Sequence, residues 1–333
     1  MARLTRKTDL LFRFEEAIRS SGWNLLYLTQ GAHPARYRIY RDGRSMTTKV
    51  YIWNISHGGG TRSESEYRIQ VTGIDHFEPE PEGRTLVLGW WEDVGVFAGW
   101  DVRQHLGTLG SSPSMQVEES ALRQALLTGF APYVKSNGET AIAFRPDFAG
   151  TYVEHLKALH DSGTVHEEAQ LLAKLSKDPD DVDDQDIQDD VAAPRQYAVQ
   201  ETRRALRALD FSSRVLSAYG HRCAMCGIQL RLIDGAHILP VAHADSTDQT
   251  SNGIALCALH HRAYDRSLIA FDEKFKIHFN MERFKILKDA DRIEGFEAFR
   301  DSLPQYIDIP PNGRDHPDPN YINKANRIRG WYL

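Results

Sequence analysis

The sequence predicts an α+β protein in which a first domain with an antiparallel-rich sheet is joined through an acidic segment to a smaller metal-containing domain. Three observations support this prediction. Short alternating runs, rich in aromatic and β-branched residues, recur through the first half of the chain, with helical patterns around them. A stretch of aspartates without aromatic residues follows, near residue 180. Beyond it, all three cysteines fall within residues 223–257.

A chain of 333 residues can hold two domains that each bury a core of their own. The composition predicts a first domain over residues 1–165, an acidic linker over 166–194 and a second domain over 195–333. No apolar run approaches the roughly 20 residues that cross a bilayer, so we expect no membrane partner. Three cysteines at metal-ligand spacing, rather than in a disulfide framework, favour the reducing cytoplasm.

The first domain is expected to begin with a helix over residues 9–20, because apolar residues recur there at helical spacing and the breaker Ser20-Ser21-Gly22 follows. Asp42-Gly43, between two strand-like runs, is typical of a two-residue hairpin turn. Strands are expected at 25–29, 36–40, 47–55, 67–72, 85–91, 95–100 and 140–144, and further helices at 117–128 and 148–160. These elements describe a mixed α+β domain without an internal repeat.

The charge of the chain is distributed unevenly. Eleven acidic residues and only two lysines lie in 161–190, so that this segment carries −9 while the whole chain carries −6. Such a composition cannot bury enough apolar surface to offset the entropy of ordering, which favours a solvated linker. A second interpretation is a tethered mimic of DNA that covers a basic surface until the substrate displaces it.

A basic region follows the acidic one. From 195 to 231 seven arginines stand against two acidic residues, and the apolar residues of 196–219 recur at the spacing of a helix whose other face carries the arginines. Such a face can contact DNA phosphates; the alternative is a charged face that contacts only solvent. The residues that we assign to phosphate contact are Arg203, Arg204, Arg207 and Arg214.

The cysteines occur at the spacing of metal ligands. Two residues separate Cys223 from Cys226, and two residues separate Cys257 from His260. Such a spacer lets a tight turn direct both side chains at one ion, so two pairs can complete a tetrahedral zinc site. A segment with further histidines lies between the two pairs. This arrangement is typical of a small metal-dependent nuclease.

The elements around these ligands are predicted to follow a strand–strand–helix order, with strands at 231–233 and 236–240, a helix at about 256–265 and a hairpin over 268–279. The motifs within them are Ala236-His237-Ile238-Leu239-Pro240, Asn252-Gly253 and Leu256-Cys257-Ala258-Leu259-His260-His261. Over about 195–285 the chain therefore resembles the HNH, or ββα-metal, endonuclease family, in particular its McrA-like, restriction-type branch. The resemblance does not reach the first domain.

The resemblance implies a role for each motif residue. A structural zinc ion would be held by Cys223, Cys226, Cys257 and His260. His237 would be the general base that takes a proton from the water attacking the scissile phosphate. Asn252 would hold the loop that carries His237. His261 would bind the catalytic ion, Mg²⁺ or Mn²⁺, which stabilises the charge of the transition state.

One position departs from the family pattern. Many HNH enzymes have an aspartate just before the base as a second metal ligand, and this chain has Ala236 there. An ion held by one protein ligand would be bound weakly, so a second ligand is required. Asp265 lies four residues after His261 and therefore on the same helical face. We assign the catalytic ion to this pair, with Asp234 as the reserve candidate.

Each assignment has a simpler alternative. The zinc ligands could staple a DNA-binding module that has no activity, although such a staple needs neither His237 nor His261. His237 alone could be a core histidine, and Asn252-Gly253 is also a common turn dipeptide. Asp265 could pair with a neighbouring arginine instead of a metal ion.

Enzymes of this family usually delegate specificity to a partner domain, which makes the first domain the expected reader of DNA. Trp53 leads into a glycine-rich loop that ends at Arg62. An aromatic face with a guanidinium donor can hold an extruded base or read a groove edge. Alternatively, the tryptophan packs in the core and the loop is a surface turn. Arg262, beside His261, is a further expected DNA contact.

The sequence thus predicts a DNA endonuclease of restriction or phage-defence type that hydrolyses phosphodiester bonds with one catalytic ion. The first domain would recognise a sequence or a modified base. Because each chain has one HNH site, double-strand cleavage favours a homodimer. The alternatives are a zinc-stapled DNA-binding regulator that does not cut, and an effector whose first domain senses a signal and licenses non-specific cutting.

Overall fold

A computed structural model describes residues 5–29, 32–59, 63–230 and 232–333. The chain divides into two compact units, Met1–Arg207 and Ala208–Leu333. The α+β class predicted from the sequence is confirmed. None of the helices within the described ranges combines the length and the apolar character that a membrane-spanning segment requires.

Strands dominate the first unit, and helices cover it. Its described strands are β1 Asn24–Tyr27, β2 Ala35–Arg41, β3 Arg44–His57, β4 Glu66–Gln70, β5 Gly83–Trp91, β6 Val96–Trp100, β7 Ser114–Glu118, β8 Phe130–Val134 and β9 Thr140–Phe144. Its helices are α1 Lys7–Ser20, α2 Glu119–Thr128, α3 Ala149–Gly163, α4 His166–Lys177, α5 Asp184–Asp190 and the first part of α6, Ala193–Ala218.

These strands form one sheet with the order β1-β2-β3-β5-β6-β9-β8, and β4 and β7 extend it from β3. Every pairing among the described strands is antiparallel except that of β3 with β5. Strand β3 can serve both parts of the sheet because it has 14 residues. Its first half pairs with β2 and its last three residues pair with β4. The antiparallel-rich sheet expected from the alternating pattern is confirmed.

Helices α1 and α3 show how the core of this unit is closed. Helix α1 buries the face that its apolar spacing predicted, including Leu10, Phe14 and Ile18. On β6, Gly99 lies so close to Tyr152 of α3 that a Cβ atom would be 2.0 Å from the tyrosine hydroxyl oxygen. The missing side chain therefore makes room for Tyr152, which is fully buried.

Two strands of this sheet were not expected from the sequence. A helix over 117–128 is expected from the sequence, but the structure has strand β7 before α2. This strand forms by pairing with β4, which lies far away in the chain, so local sequence does not reveal it. Strand β8 contains Pro132, which argues against a central strand. It lies at the edge of the sheet, where a missing N–H is tolerated.

The structure also differs from the solvated linker expected over 166–194. Helices α4 and α5 occupy most of this segment and belong to the first unit. Leu172 and Leu175 of α4 and Ile187 of α5 are fully buried. Asp183 and Asp186 form a capping box at the start of α5. A few apolar residues at helical spacing thus anchor an acidic sequence whose aspartates remain largely exposed.

The second unit holds the rest of α6 and small paired strands. Its described strands are β10 Ile233–His237, β11 Gly253–Cys257, β12 Ile269–Phe271 and β13 Ile277–Phe279. Its helices are α7 Ala258–Asp265, α8 Met281–Asp289, α9 Phe296–Asp301 and α10 Pro319–Ile328. Strand β10 pairs antiparallel with β11, α7 follows directly, and β12 pairs with β13. The expected ββα order and hairpin are both present.

The boundaries in this unit differ from those expected. One strand, β10, replaces the two short strands predicted before residue 240, and β11 extends to Cys257, inside the range where the helix is expected to begin. The reason is the register from Ile233↔Cys257 to His237↔Gly253, which joins residues distant in the chain. Near the end of the chain, α10 buries Ile322 and Ala325.

Candidate metal centre and active site

Four metal-binding side chains converge where α6, β11 and α7 meet. Cys223 and Cys226 lie on the turn after α6, Cys257 ends β11, and His260 lies in the first turn of α7. The Nδ1 atom of His260 is 3.5 Å from the Sγ atom of Cys223 and 3.3 Å from that of Cys257. The Sγ atoms of Cys226 and Cys257 are 3.9 Å apart. Among the described residues this is the one group with three or more convergent ligands.

The donor set fits zinc. Tetrahedral bonds of about 2.0–2.3 Å place neighbouring ligand atoms roughly 3.3–3.8 Å apart, close to the spacing of this group. Burial would raise the pKa of the Cys223 thiol, but hydrogen bonds from His260 and from backbone N–H groups lower it to about 6. Burial raises the pKa of Cys226 to about 12, so this thiol retains its proton unless a cation lies beside it.

His237 is held at the end of β10 by its surroundings. Its ring stacks on that of Phe211 from α6, with centroids 3.7 Å apart and an angle of 10° between the planes. Its Nε2 atom is 2.9 Å from Oδ1 of Asp248, in the loop between β10 and β11. Gly253 of β11 pairs with His237 and leaves space for α6, because a Cβ atom on Gly253 would lie 2.2 Å from the side chain of Val215. His237 is therefore a partly exposed side chain with fixed orientation, not a core histidine.

Asn252 is fully buried and ties the same loop to the end of β10. Its Oδ1 atom accepts a hydrogen bond from the N–H of Leu239, at 2.9 Å. Its Nδ2 atom donates to the carbonyl of Thr247, at 2.8 Å, and lies 3.1 Å from the hydroxyl of Ser246. These contacts are those of a residue that positions the loop around His237.

His261, on α7, lies between two carboxylates. Its Nδ1 atom is 3.1 Å from Oδ2 of Asp234, and its Nε2 atom is 3.5 Å from Oδ2 of Asp265. The hydrogen bond with Asp234 raises the pKa of His261 although burial opposes this. Asp234 precedes Ala236 by two residues and therefore lies on the same face of β10 as Ala236. Both candidate acids thus approach His261, at opposite ring nitrogens.

Three of the arginines assigned to phosphate contact are paired within the first unit. Arg203 pairs with Asp184 at 3.0 Å, and Arg207 pairs with Asp180 at 2.9 Å. Arg204 pairs with a glutamate one turn earlier on α6 and is otherwise exposed. The acidic segment therefore contacts part of the basic helix, which is the contact that a DNA mimic would make.

The remaining two arginines of the second unit differ from each other. Arg214 donates to the main-chain oxygen of Asp248 at 2.7 Å and to the hydroxyl of Thr250 at 3.0 Å, and it pairs with Asp210 at 2.8 Å. It therefore supports the loop beside His237. Arg262 is exposed, and its side chain makes no hydrogen bond or ion pair with any residue that the structure describes.

The aromatic residue proposed to read DNA lies in the core. Trp53 is 4% exposed, and its Nε1 atom donates to the carbonyl of Thr72 at 3.2 Å. Its ring packs edge-on against Phe77 and His33. This is the core-packing alternative, and it leaves no aromatic face for a base. Arg62, the other residue of that hypothesis, lies outside the described residues.

Sequence reasoning did not identify Asp248. Its place in a polar loop, eleven residues after His237, carries no periodic or spacing signal. Asp234 was considered only as a reserve ligand, and its contact with His261 depends on how β10 packs against α7. Loop length and helix packing decide both contacts, and neither can be read from local sequence.

Comparison with known families agrees with this geometry. Residues 223–272 match the model of a family described as HNH endonuclease. Residues 46–153 match the model of a family described as Methylase-associated X1, for which the sequence had given no family. The first match covers both zinc pairs, His237, Asn252 and His261, in the order expected.

Comparison with individual proteins adds less. No curated protein matches the chain. Among solved structures, a protein described as a modification dependent TagI restriction endonuclease aligns with 83% of this chain and 80% of its own, at 12% identity and a TM-score of 0.30. A TM-score of 0.30 is too low to support a conclusion about the fold or the function of this chain. The family match and the metal-centre geometry identify residues 223–272 as an HNH endonuclease domain.

Proposed function

We propose that this HNH endonuclease is of restriction or phage-defence type and hydrolyses DNA phosphodiester bonds at the site formed by His237 and His261. The observation that carries the proposal is the ββα unit itself. It is closed by a Cys3His group and presents one histidine oriented by an aromatic ring and another flanked by two carboxylates.

In the proposed mechanism each residue has one task. His237 accepts the proton of the attacking water, and Asn252 keeps the loop around it in place. His261 and Asp265 would hold the catalytic ion, while Asp234 orients the His261 ring through Nδ1, as carboxylates often do for metal-binding histidines. A Mg²⁺ or Mn²⁺ ion held by these residues would supply positive charge to the scissile phosphate and to the leaving 3′ oxygen.

The zinc group has a structural task in this proposal. Its four ligands connect the turn after α6 to the junction of β11 and α7. Helix α7 carries His261, and β11 pairs with β10, which carries His237. A closed tetrahedral site leaves no open position for substrate, in contrast to a catalytic zinc. The reducing cytoplasm, which keeps the three thiols available to zinc, is the compartment that we propose.

Specificity is assigned to the first unit. Residues 46–153 resemble a family described as methylase-associated, and an endonuclease beside a methylase is the pairing found in restriction–modification. A sequence or a modified base would be read there, by residues other than the buried Trp53. Because residues 223–272 match one HNH domain, cleavage of both strands favours two copies of the chain, and we propose a homodimer.

The test is cleavage of methylated and unmethylated plasmid by the zinc-loaded full chain, with and without Mg²⁺, beside His237→Ala. Discrete fragments that require Mg²⁺ and His237 are the expected result. A difference between the two plasmids would assign modification reading. Cleavage that survives His237→Ala would contradict the proposed base.

Two other outcomes correspond to other functions. The alanine at position 236 favours a zinc-stapled DNA-binding regulator, and intact plasmid under every condition, together with DNA binding, would support that function. A smear without discrete fragments would support an effector that cuts non-specifically once its first unit is activated.

A further inference from the structure

The loop between β10 and β11 places one acidic side chain against His237. Oδ1 of Asp248 is 2.9 Å from Nε2 of the imidazole, and both side chains are more than two-thirds buried. No other hydrogen bond to the ring comes from a residue within the described ranges. The contact is therefore the one polar constraint that the described chain places on the proposed base.

The plane of the imidazole is fixed independently of this hydrogen bond. The ring of Phe211 lies parallel to it at 3.7 Å, so that the imidazole cannot tilt without losing the stacking contact. Once the plane is fixed, the bond from Nε2 to Asp248 determines which way the ring faces. The other nitrogen, Nδ1, must then point away from the loop.

Asp248 is itself held on both sides. Arg214 of α6 donates to its main-chain oxygen at 2.7 Å and to the hydroxyl of Thr250 at 3.0 Å. The carbonyl of Thr247, just before it, accepts a hydrogen bond from Asn252 at 2.8 Å. Because hydrogen bonds hold the main chain of this loop before and at Asp248, the Asp248 carboxylate is in place before any substrate binds, as preorganisation requires.

We propose that Asp248 is a positioning residue of the nuclease reaction, acting through His237; this inference rests on the proposed function of His237 as the base. A carboxylate can only accept, so it keeps the imidazole proton on Nε2 and leaves the lone pair on Nδ1. Nδ1 is thus the atom that takes a proton from water as the water oxygen bonds to phosphorus and the bond to the 3′ oxygen breaks. The Nε2 proton stays on the ring, and Asp248 stabilises the imidazolium that forms.

The variants that test this inference are Asp248→Asn and Asp248→Glu. Asparagine fills the same space but can present its amide group to Nε2 and stabilise the wrong tautomer. We expect kcat to fall at least ~100-fold, the scale of general-base catalysis, with KM changed less than about threefold. Glutamate keeps the acceptor and should recover kcat to within ~10-fold of wild type. Zinc content and thermal stability of each variant verify folding.

The matched control is Asp245→Asn. Asp245 lies in the same loop but pairs with Lys324, at 2.6 Å, and not with His237. Its substitution should leave kcat and KM unchanged. A loss as large as that of Asp248→Asn would show that any change in this loop disrupts the site, and the specific role of Asp248 would be withdrawn.

A second readout does not depend on cleavage. Heteronuclear NMR of nitrogen-labelled, zinc-loaded protein without DNA should show the proton of neutral His237 on Nε2. In Asp248→Asn the population should move toward the Nδ1–H tautomer. A wild-type protein with the proton on Nδ1 would overturn the inference, as would an Asp248→Asn enzyme that retains kcat.

The two failures are distinguishable. If His237→Ala abolishes cleavage while Asp248→Asn does not, the proposed function stands and only the role of Asp248 is wrong. If cleavage persists in His237→Ala, the proposed function fails first, whatever the tautomer.

Discussion

His160 of the first unit and the candidate histidines His237 and His261 of the second unit have opposite surroundings, and the difference shows what makes a histidine available for chemistry. In the first unit His160 is 2% exposed, with Nδ1 3.0 Å from the carbonyl of Thr140 and Nε2 3.0 Å from the hydroxyl of Tyr152. Burial lowers its pKa to about 4. This ring is neutral and fully engaged, so it stabilises the fold and cannot exchange protons with a substrate.

In the second unit the two candidate histidines keep an open side. His237 and His261 are partly exposed; His237 contacts one carboxylate, that of Asp248, and His261 contacts two, those of Asp234 and Asp265. The hydrogen bond with Asp234 raises the pKa of His261, in the direction opposite to that of the buried histidines. Carboxylate contact and partial exposure distinguish these two rings from that of His160.

The largest expected effect is that of zinc removal, which should destabilise the second unit and leave the first unit folded. Removal of zinc by a strong chelator, or Cys223→Ala, should abolish cleavage and the unfolding transition of the second unit. Structural zinc contributes on the order of 10 kcal/mol of binding free energy in small domains, more than a unit of this size retains without it. Calorimetry of the full chain should still show the transition of the first unit.

Return of zinc to the chelated protein is the control, and it should restore both the transition and cleavage. If the second unit unfolds at the same temperature without zinc, the Cys3His group is not what holds this unit together.

The next effect concerns the catalytic ion and would sharpen the assignment of the acids around His261. Asp265→Asn should raise the Mg²⁺ concentration for half-maximal cleavage at least ~100-fold, because a ligand is lost. Asp234→Asn should raise it ~10-fold, the usual scale for a residue that orients a ligand. Cleavage rates over a Mg²⁺ titration provide the measurement.

Asp289→Asn, on α8 and without a hydrogen bond or ion pair to any described residue, is the matched control and should change nothing. The reverse order of the two effects would make Asp234 the ligand and Asp265 the orienting residue.

A smaller effect is expected from pH and would test the contrast between buried and open histidines. Burial lowers the pKa values of His155 and His160 from 6.5 to about 4. The unfolded chain therefore binds more protons than the folded chain between these values, so stability is fully present above pH 6.5 and is lost as pH falls toward 4. The transition of the first unit should fall by about 10 °C between pH 7.5 and 5.

The slope of that fall with pH is the decisive quantity, measured by calorimetry of zinc-loaded protein. His160→Gln should reduce the slope, whatever it does to stability at neutral pH. An unchanged slope would mean that other groups cause the loss in acid.

The smallest expected effect concerns the acidic segment. Asp180→Asn with Asp184→Asn removes two surface ion pairs with Arg207 and Arg203, each worth about 0.2–1 kcal/mol. If the segment acts as a DNA mimic, affinity for DNA at low salt should rise by roughly 2–10-fold. Asp189→Asn, which contacts Gln185 and not an arginine, is the control. Equal affinity for the double variant and wild type would end the mimic hypothesis.

The units also differ in how far the sequence predicted them. The zinc ligands, α7 and the hairpin of β12 and β13 depend on spacings of a few residues, and the sequence showed them in order. Strand β7 and the pairing of β10 with β11 depend on partners distant in the chain, and the sequence placed them poorly. Local geometry follows from spacing, whereas pairing over long loops follows from the packing of the whole unit.

Individual side chains show the same limit. The residue type of Trp53 and the glycine-rich loop after it suggested a base-reading role, yet its side chain packs in the core of the sheet. Asp248 had no distinguishing signal, yet the loop brings it against His237. Whether a side chain faces the core or a cleft depends on residues that lie far away in the chain, and the local sequence does not show which residues these are.

By itself the sequence determined the class of the fold, the four side chains that could hold a metal ion and the two histidines proposed for catalysis, because short fixed spacings restrict where such side chains can point. Only the tertiary structure decided what surrounds them. The stacking of Phe211, the carboxylates beside His237 and His261 and the folding of the acidic segment onto the first unit all join residues far apart in the chain. Such contacts form when apolar surfaces pack, and the packing of an entire unit cannot be derived from one stretch of its sequence.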